Sequence, residues 1–159
     1  MADPRERAQE LFSRAYQAQM QGELHQAIEL YSESIQLYPT AEAYTFRGWA
    51  YSFQGDYARA IAECLRAIAI DPEFGNPYND IGAYLIEQGR LDEAVPWLEK
   101  AANSARYANP CFALFNLGRI YERKRQFVKA QEQYERALLA NAHYTPARKA
   151  LTRIRALWN

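Results

Sequence analysis

The chain has 159 residues, of which 49% are hydrophobic and 24% charged, and its formal net charge is zero. That length and composition fit one folded domain and exclude a disordered chain. A zero net charge gives no general attraction to nucleic acid or to an anionic membrane. No apolar run approaches the ~20 residues of a membrane span, so no membrane insertion is expected.

The N-terminal stretch MADPRERAQELF lacks the apolar core of a signal peptide, so the expected location is cytoplasmic. Asp3-Pro4 reads as a cap followed by a first-turn proline, which predicts a helix beginning near Pro4. Downstream, segments repeat. RGWAYSFQGDYARAI, IGAYLIEQGRLDEAV and LGRIYERKRQFVKAQ align on Gly48, Gly82 and Gly118, at intervals of 34 and 36 residues. A fainter copy, RAYQAQMQGELHQAI, comes earlier with Ala15 in the glycine place. Gly22, Gly55 and Gly89 recur in step, as do Ala27, Ala60, Ala94 and Ala130.

Each unit shows two amphipathic stretches of helical period with a short break between them. In the second unit Tyr44, Gly48 and Tyr51 mark one helix face, and Tyr57, Ala60, Ile61, Cys64, Ala67 and Ile68 mark the next. At the break, Gly55 can end a helix with a positive φ and Asp56 can cap its successor. Gly48, Gly82 and Gly118 lie where a helix must meet its partner closely, with Ala60, Ala94 and Ala130 as the complementary small surface. Tyr38-Pro39 and Asp71-Pro72 close units, whereas the third unit carries two extra residues in AANSARYANP and predicts a longer surface loop. That loop reads either as a tolerated insertion or as a functional one. Thr145-Pro146 repeats the opening grammar. Ala147, Ala150, Leu151, Ile154 and Trp158 then form the apolar stripe of a terminal helix that covers the last exposed face.

These offsets resemble the tetratricopeptide repeat family, with units at 8–40, 41–74, 75–110 and 111–144 and a capping helix at about 146–158. The terminal units depart from the pattern: Arg14-Ala15 replaces Leu-Gly, and Arg125 stands where the mid-unit glycine belongs. The resemblance implies an all-α, right-handed superhelical solenoid of stacked antiparallel helix pairs, about nine helices in all, in one domain. It also implies that the first helix of each pair lines a concave groove. Carried onto this chain, the groove positions include Phe12, Tyr16, Phe46, Trp49, Phe53, Phe112 and Phe115, an aromatic lining suited to another protein or peptide. By the same carry-over, Asn79 and Asn116 would hydrogen-bond a ligand backbone, and Arg119 and Arg123 would meet an acidic residue. The family's chaperone-tail clamp of Lys, Asn and Arg is not matched. The corresponding positions hold Phe12, Tyr16, Phe46, Asn76 and Asp80 or, one unit along, Thr45, Trp49, Asp80, Phe112 and Asn116.

Chemistry is sparse. Cys64 and Cys111 form no CxxC pair, His25 and His143 sit in unrelated contexts, and no phosphate loop or nucleophile motif occurs. No cofactor, metal or enzymatic activity is expected. The basic run Arg123, Lys124, Arg125 and Lys129 spans a helix end and a turn, and reads as dipole complement ahead of nucleic-acid contact.

The leading reading is a protein-interaction adaptor that holds a peptide segment or amphipathic helix in the groove. A second is an assembly chaperone of a secretion or pilus system, because RYANPCFALFNLGRIY resembles the tetratricopeptide pilotins of type IV pili. Those proteins are usually lipid-anchored, and no lipidation cysteine stands near Met1; a longer upstream reading frame with a signal peptide would restore that reading. A third is a self-assembling scaffold. Residues 1–74 hold 6 basic and 11 acidic side chains and residues 75–159 hold 13 and 8, which reads as drift along a solenoid or as a head-to-tail contact between copies.

Overall fold

A computed structural model describes residues 3–159. Within them run nine α-helices: α1 (Pro4–Met20), α2 (Leu24–Leu37), α3 (Ala41–Phe53), α4 (Tyr57–Ile70), α5 (Asn76–Glu87), α6 (Leu91–Ala102), α7 (Pro110–Arg123), α8 (Phe127–Ala140) and α9 (Thr145–Arg155). A single 3-10 turn, Ala156–Trp158, follows α9. Helices pair as α1/α2, α3/α4, α5/α6 and α7/α8, and each pair stacks on the next, with α9 closing the stack against α8. The odd-numbered helices also pack against one another from pair to pair, which places α1, α3, α5 and α7 on the inner side of the curve.

The turn inside each pair is built the same way four times. Gly22, Gly55 and Gly89 adopt φ of 81°, 76° and 74°. Just past each, an N–H reaches back to close the helix: Glu23 donates to Ala18 O, Asp56 to Tyr51 O and Arg90 to Leu85 O, at 2.9, 3.1 and 2.9 Å. In the fourth unit Gln126 donates to Tyr121 O at 2.8 Å, and Arg125 is forced to φ 59° without glycine's freedom. Asp3 and Asp56 cap their helices as expected, accepting from the Arg5 and Arg59 amides at 2.9 and 3.1 Å.

The close approaches within pairs are real; Gly48 meets the expected Ala60, whereas Gly82 and Gly118 meet other partners. A Cβ on Gly48 would lie 3.0 Å from Ala60 O and 3.1 Å from Glu63 Cβ. On Gly82 it would overlap Leu98, and on Gly118 the ring of Tyr134. Gly82 and Gly118 thus make room for a large side chain one turn beyond the alanine, not for the alanine itself. Tyr134 is fully buried and donates its hydroxyl to Glu122 Oε2 at 2.7 Å.

Polar contacts tie the units together. Glu63, 6% exposed at its side chain, takes a two-point contact from Arg47 at 2.7 and 3.0 Å, and Arg47 also donates to Ser32 of the preceding pair. Both charges are satisfied, which a buried pair requires. At the far end Arg153 of α9 forks onto Glu122, with both contacts at 2.8 Å. This holds the Glu122 carboxyl below the usual carboxylate range.

Two expectations at the C-terminus are corrected. Thr145 does not cap α9: it is already helical, and Tyr144 stands at the cap with its ring 5.3 Å from Phe112 and 5.5 Å from Phe115. Trp158 leaves the apolar stripe and is 53% exposed, because the α-helix gives way to a 3-10 turn at Ala156.

Two substitutions test the repeated turn and contact. Gly118→Ala drives a methyl into the tethered Tyr134 ring and lowers stability by about 1–3 kcal/mol. Arg125→Gly removes a strained left-handed residue and raises stability by about 1 kcal/mol. Urea unfolding followed by helix circular dichroism reads both; equal stability of the three proteins would contradict this account of the fourth unit.

Candidate functional site

The inner face begins with aromatics on α1 and α3. Phe12 and Tyr16 approach Phe46 at ring separations of 5.3 and 5.8 Å. Phe46 meets Trp49 at 5.9 Å, and Trp49 meets Phe53 at 5.3 Å. Residues at these spacings fall on one side of a helix, and nothing from the second helices covers them all: Tyr16 and Phe53 remain 41% and 59% exposed. A second aromatic group forms at the other end, where Phe112 and Phe115 pack on Tyr144.

Between the two lies a polar floor. Asn79 of α5 and Asn116 of α7 are both buried, and Asn116 Nδ2 donates to Asn79 Oδ1 at 3.0 Å. Arg119 donates to Asn116 Oδ1 at 3.0 Å and pairs with Glu87 at 3.5 Å. Arg123 reaches the Ile86 carbonyl at 3.4 Å.

The segment between α6 and α7 is the lengthened surface loop that the insertion predicts, read there as either tolerated or functional. It is strapped down. Gly75 N–H donates to Arg106 O at 3.0 Å, and Arg106 N–H donates to Glu73 O at 3.2 Å, an isolated parallel bridge. The Arg106 guanidinium binds Asp71 and Glu42 and lies 4.4 Å over the Phe74 ring. The Asp71 carboxyl is accordingly held below its ordinary value, chiefly by its hydrogen bond from Arg106. This strap delivers Tyr107 to the inner face, beside a Gly75 whose missing Cβ leaves the space that Tyr107 fills.

Two hollows result. One, of about 220 Å³, is lined by Thr45, Phe46, Trp49, Asn76, Asn79, Asp80, Tyr107 and Phe112. The other, of about 450 Å³, is lined by Gln19, Met20, Gly22, Leu24, Trp49 and Phe53. Trp49 is the wall they share. In the second hollow Gln19 accepts from Tyr31 at 2.8 Å, and its buried Nε2 has no hydrogen-bond partner among the described residues.

Of the sequence-predicted residues, Phe46, Trp49, Asn79 and Phe112 meet in the first hollow, and Phe53 joins Trp49 in the second. Phe12 and Tyr16 flank them. Phe115 is half-buried with its ring 5.5 Å from Tyr134, so it also belongs to the core. Asn116, Arg119 and Arg123 are engaged within the chain. Lys124 pairs with Asp92, and Lys129 lies over Tyr121, so the basic run is largely absorbed by local contacts.

Asp80 and Tyr107 were missed as site residues. The signal for Tyr107 was the two-residue insertion. Asp80 occupies a groove position by repeat offset, and the sequence assigned it no role beyond failing to match the chaperone-tail clamp. It has no ion pair among the described residues, and burial pushes its pKa up to about 7, with only the Asn79 side chain favouring the charged form. The titratable groups around it are Cys64 from α4, Tyr84 from its own helix and Tyr107 from the strap, all themselves pushed up by burial.

A stack of antiparallel helix pairs with an aromatic inner face defines a helical-repeat solenoid. More particularly, the chain belongs to the tetratricopeptide repeat family, whose models match residues 41–74 and 74–138. It is 31% identical over 119 residues to anaphase-promoting complex subunit 3 of Schizosaccharomyces pombe, across 74% of this chain and 18% of that protein. It is 39% identical over 75 residues to the small glutamine-rich tetratricopeptide repeat-containing protein 2 of Mycosarcoma maydis, across 46% of this chain and 21% of that protein. The chain therefore corresponds to about a fifth of each of these relatives. Among solved structures, Pseudomonas aeruginosa PilF superposes with a TM-score of 0.89 at 20% identity, covering 96% of this chain and 69% of that one. PilW, described as a type IV pilus biogenesis factor, gives 0.85 at 23% identity, covering 94% and 69%. YrrB, described as having an unusual peptide-binding site, gives 0.67 at 20%, covering 92% and 75%. At these identities the likeness is one of fold. Among the described residues no helix is long and apolar enough to cross a membrane, and no cluster of metal-ligating side chains occurs.

Asp80 makes stability depend on pH in a defined direction. Below about pH 4 the carboxyl is protonated folded and unfolded alike; above it only the unfolded chain loses the proton, so stability declines until about pH 7. Asp80→Asn removes that decline. The variant therefore gains on the wild type between about pH 4 and pH 8 in urea titrations. A difference that stays constant over that range would show that Asp80 titrates normally.

Proposed function

We propose that this chain is a protein-interaction scaffold whose inner face holds a segment of another protein. The carrying observation is the uncovered aromatic wall: Tyr16, Phe53 and Phe112, each more than a third exposed, stand on the same face as Trp49, which lines both hollows. Exposed apolar surface of this extent on a folded chain marks a binding site, and aromatics carry most hot-spot energy. The stacked helices hold the wall in place before a partner arrives, so little ordering cost falls on binding.

A narrower reading, an assembly factor of a pilus or secretion system, draws support from one observation. PilF and PilW superpose over 96% and 94% of the chain. Under it, the bound segment belongs to a component of that assembly, and deletion of the gene abolishes surface pili; normal piliation would remove this reading.

The groove itself is tested by affinity capture from the source organism with the wild type and Trp49→Glu, Phe112→Glu. Phe112 is preferred to Phe115, whose ring supports Tyr134. The double variant loses partner binding by about 2 kcal/mol or more, roughly thirtyfold, with unchanged helicity. Val128→Glu on the outside of α8, where Val128 is 75% exposed, leaves binding intact. Equal capture by the groove variant and the wild type would place the site elsewhere.

A further inference from the structure

Building on the groove reading, we propose that the hollow at Asp80 is a receptor for a basic side chain, Lys or Arg, of the bound segment. The argument begins from what surrounds the carboxylate. Phe46 and Trp49 come from α3, Tyr107 from the strap and Phe112 from α7, so four aromatic rings and one acid line a single space. Aromatic faces attract cations, tryptophan most strongly, and the attraction grows as water is excluded. A carboxylate among them adds a full opposite charge.

Nothing within the described chain already plays the cation's part. The nearby Arg106 is engaged by Asp71 and Glu42, and Arg119 by Glu87 and Asn116. Asp80 lines the hollow half-buried, without an ion pair among the described residues. A group left in that condition is stabilised by whatever cation arrives, and an arriving carboxylate would be repelled. The polar floor adds direction: Asn79 and Asn76 offer amide groups beside the acid. Across the shared Trp49 wall the second hollow is mostly apolar, so the fitting segment pairs a basic residue with neighbouring aliphatic or aromatic ones.

The proposal also predicts a pH effect. Binding the cation favours the ionised carboxylate, so affinity rises as Asp80 loses its proton. Cys64, Tyr84 and Tyr107, the other titratable groups facing it, all stay protonated across that range, being pushed up by burial.

A library of random peptides displayed on phage and selected on the immobilised full chain tests this. The wild type should enrich sequences with Lys or Arg flanked by apolar residues. A histidine-free selected peptide should bind Asp80→Asn about tenfold more weakly, and its affinity for the wild type, but not for that variant, should fall between about pH 8 and pH 5.5. If Asp80→Asn selects the same basic residues with equal affinity, or the wild type selects no basic residue, the cation site is overturned and the apolar groove stands. If the wild type enriches no peptide at all, or Trp49→Glu binds the selected peptides as well as the wild type does, the groove reading falls with it.

Discussion

The structure depends on one contact repeated along the chain: the place where the first helix of a pair presses against the second. A small residue sits there each time, at Ala15, Gly48, Gly82 and Gly118, and all but the first would be obstructed by a Cβ. What it admits varies from a bare backbone to Leu98 and the whole ring of Tyr134. With the pairs drawn this close, their flanks meet neighbouring pairs, and the largest buried cluster runs from Ala60 of α4 to Ala147 of α9, which no single pair has the surface to build. Some inner rings share that duty, since Phe12 and Phe46 pack on the Tyr31 cluster and Phe115 on Tyr134, but Tyr16, Phe53 and Phe112 stay more than a third exposed. Those three exposed rings are free to serve another purpose.

The departure from regular repetition is where the inner face acquires its character. Two extra residues after α6 would lengthen a loop and nothing more if they were solvated. Arg106 prevents this by pairing with Asp71 and Glu42 and by exchanging backbone hydrogen bonds with the Glu73–Gly75 stretch. The strap carries Tyr107 over the groove and helps to enclose Asp80. An insertion in one unit thus reshapes the surface of the units on both sides of it.

Much of this was legible in the sequence, for physical reasons. The paired helices followed from apolar periodicity, and the turns from glycines that reappear with positive φ at 22, 55 and 89. Phe46, Trp49 and Phe112 were placed on the inner face by repeat position, and the structure brings them to one hollow. Less legible was anything that depends on contacts between units. Asn79 and Asn116 bond each other across 37 residues, a pairing that no local pattern encodes. Phe115 looked like a groove residue because periodicity cannot tell a ring that faces solvent from one that leans on Tyr134 and Tyr144. Asp80 and Tyr107 became site residues only once the strap was visible.

The central claim is that the inner face is the working face, and site-specific photocrosslinking in the native cell tests it most directly. A photoreactive phenylalanine replaces Phe53, exposed beside Trp49, in one variant and Leu65, exposed on the outer helix α4, in another. The account predicts a discrete adduct with another protein from position 53 and none from position 65. An adduct from position 65 alone would contradict it and move the site to the outside of the solenoid.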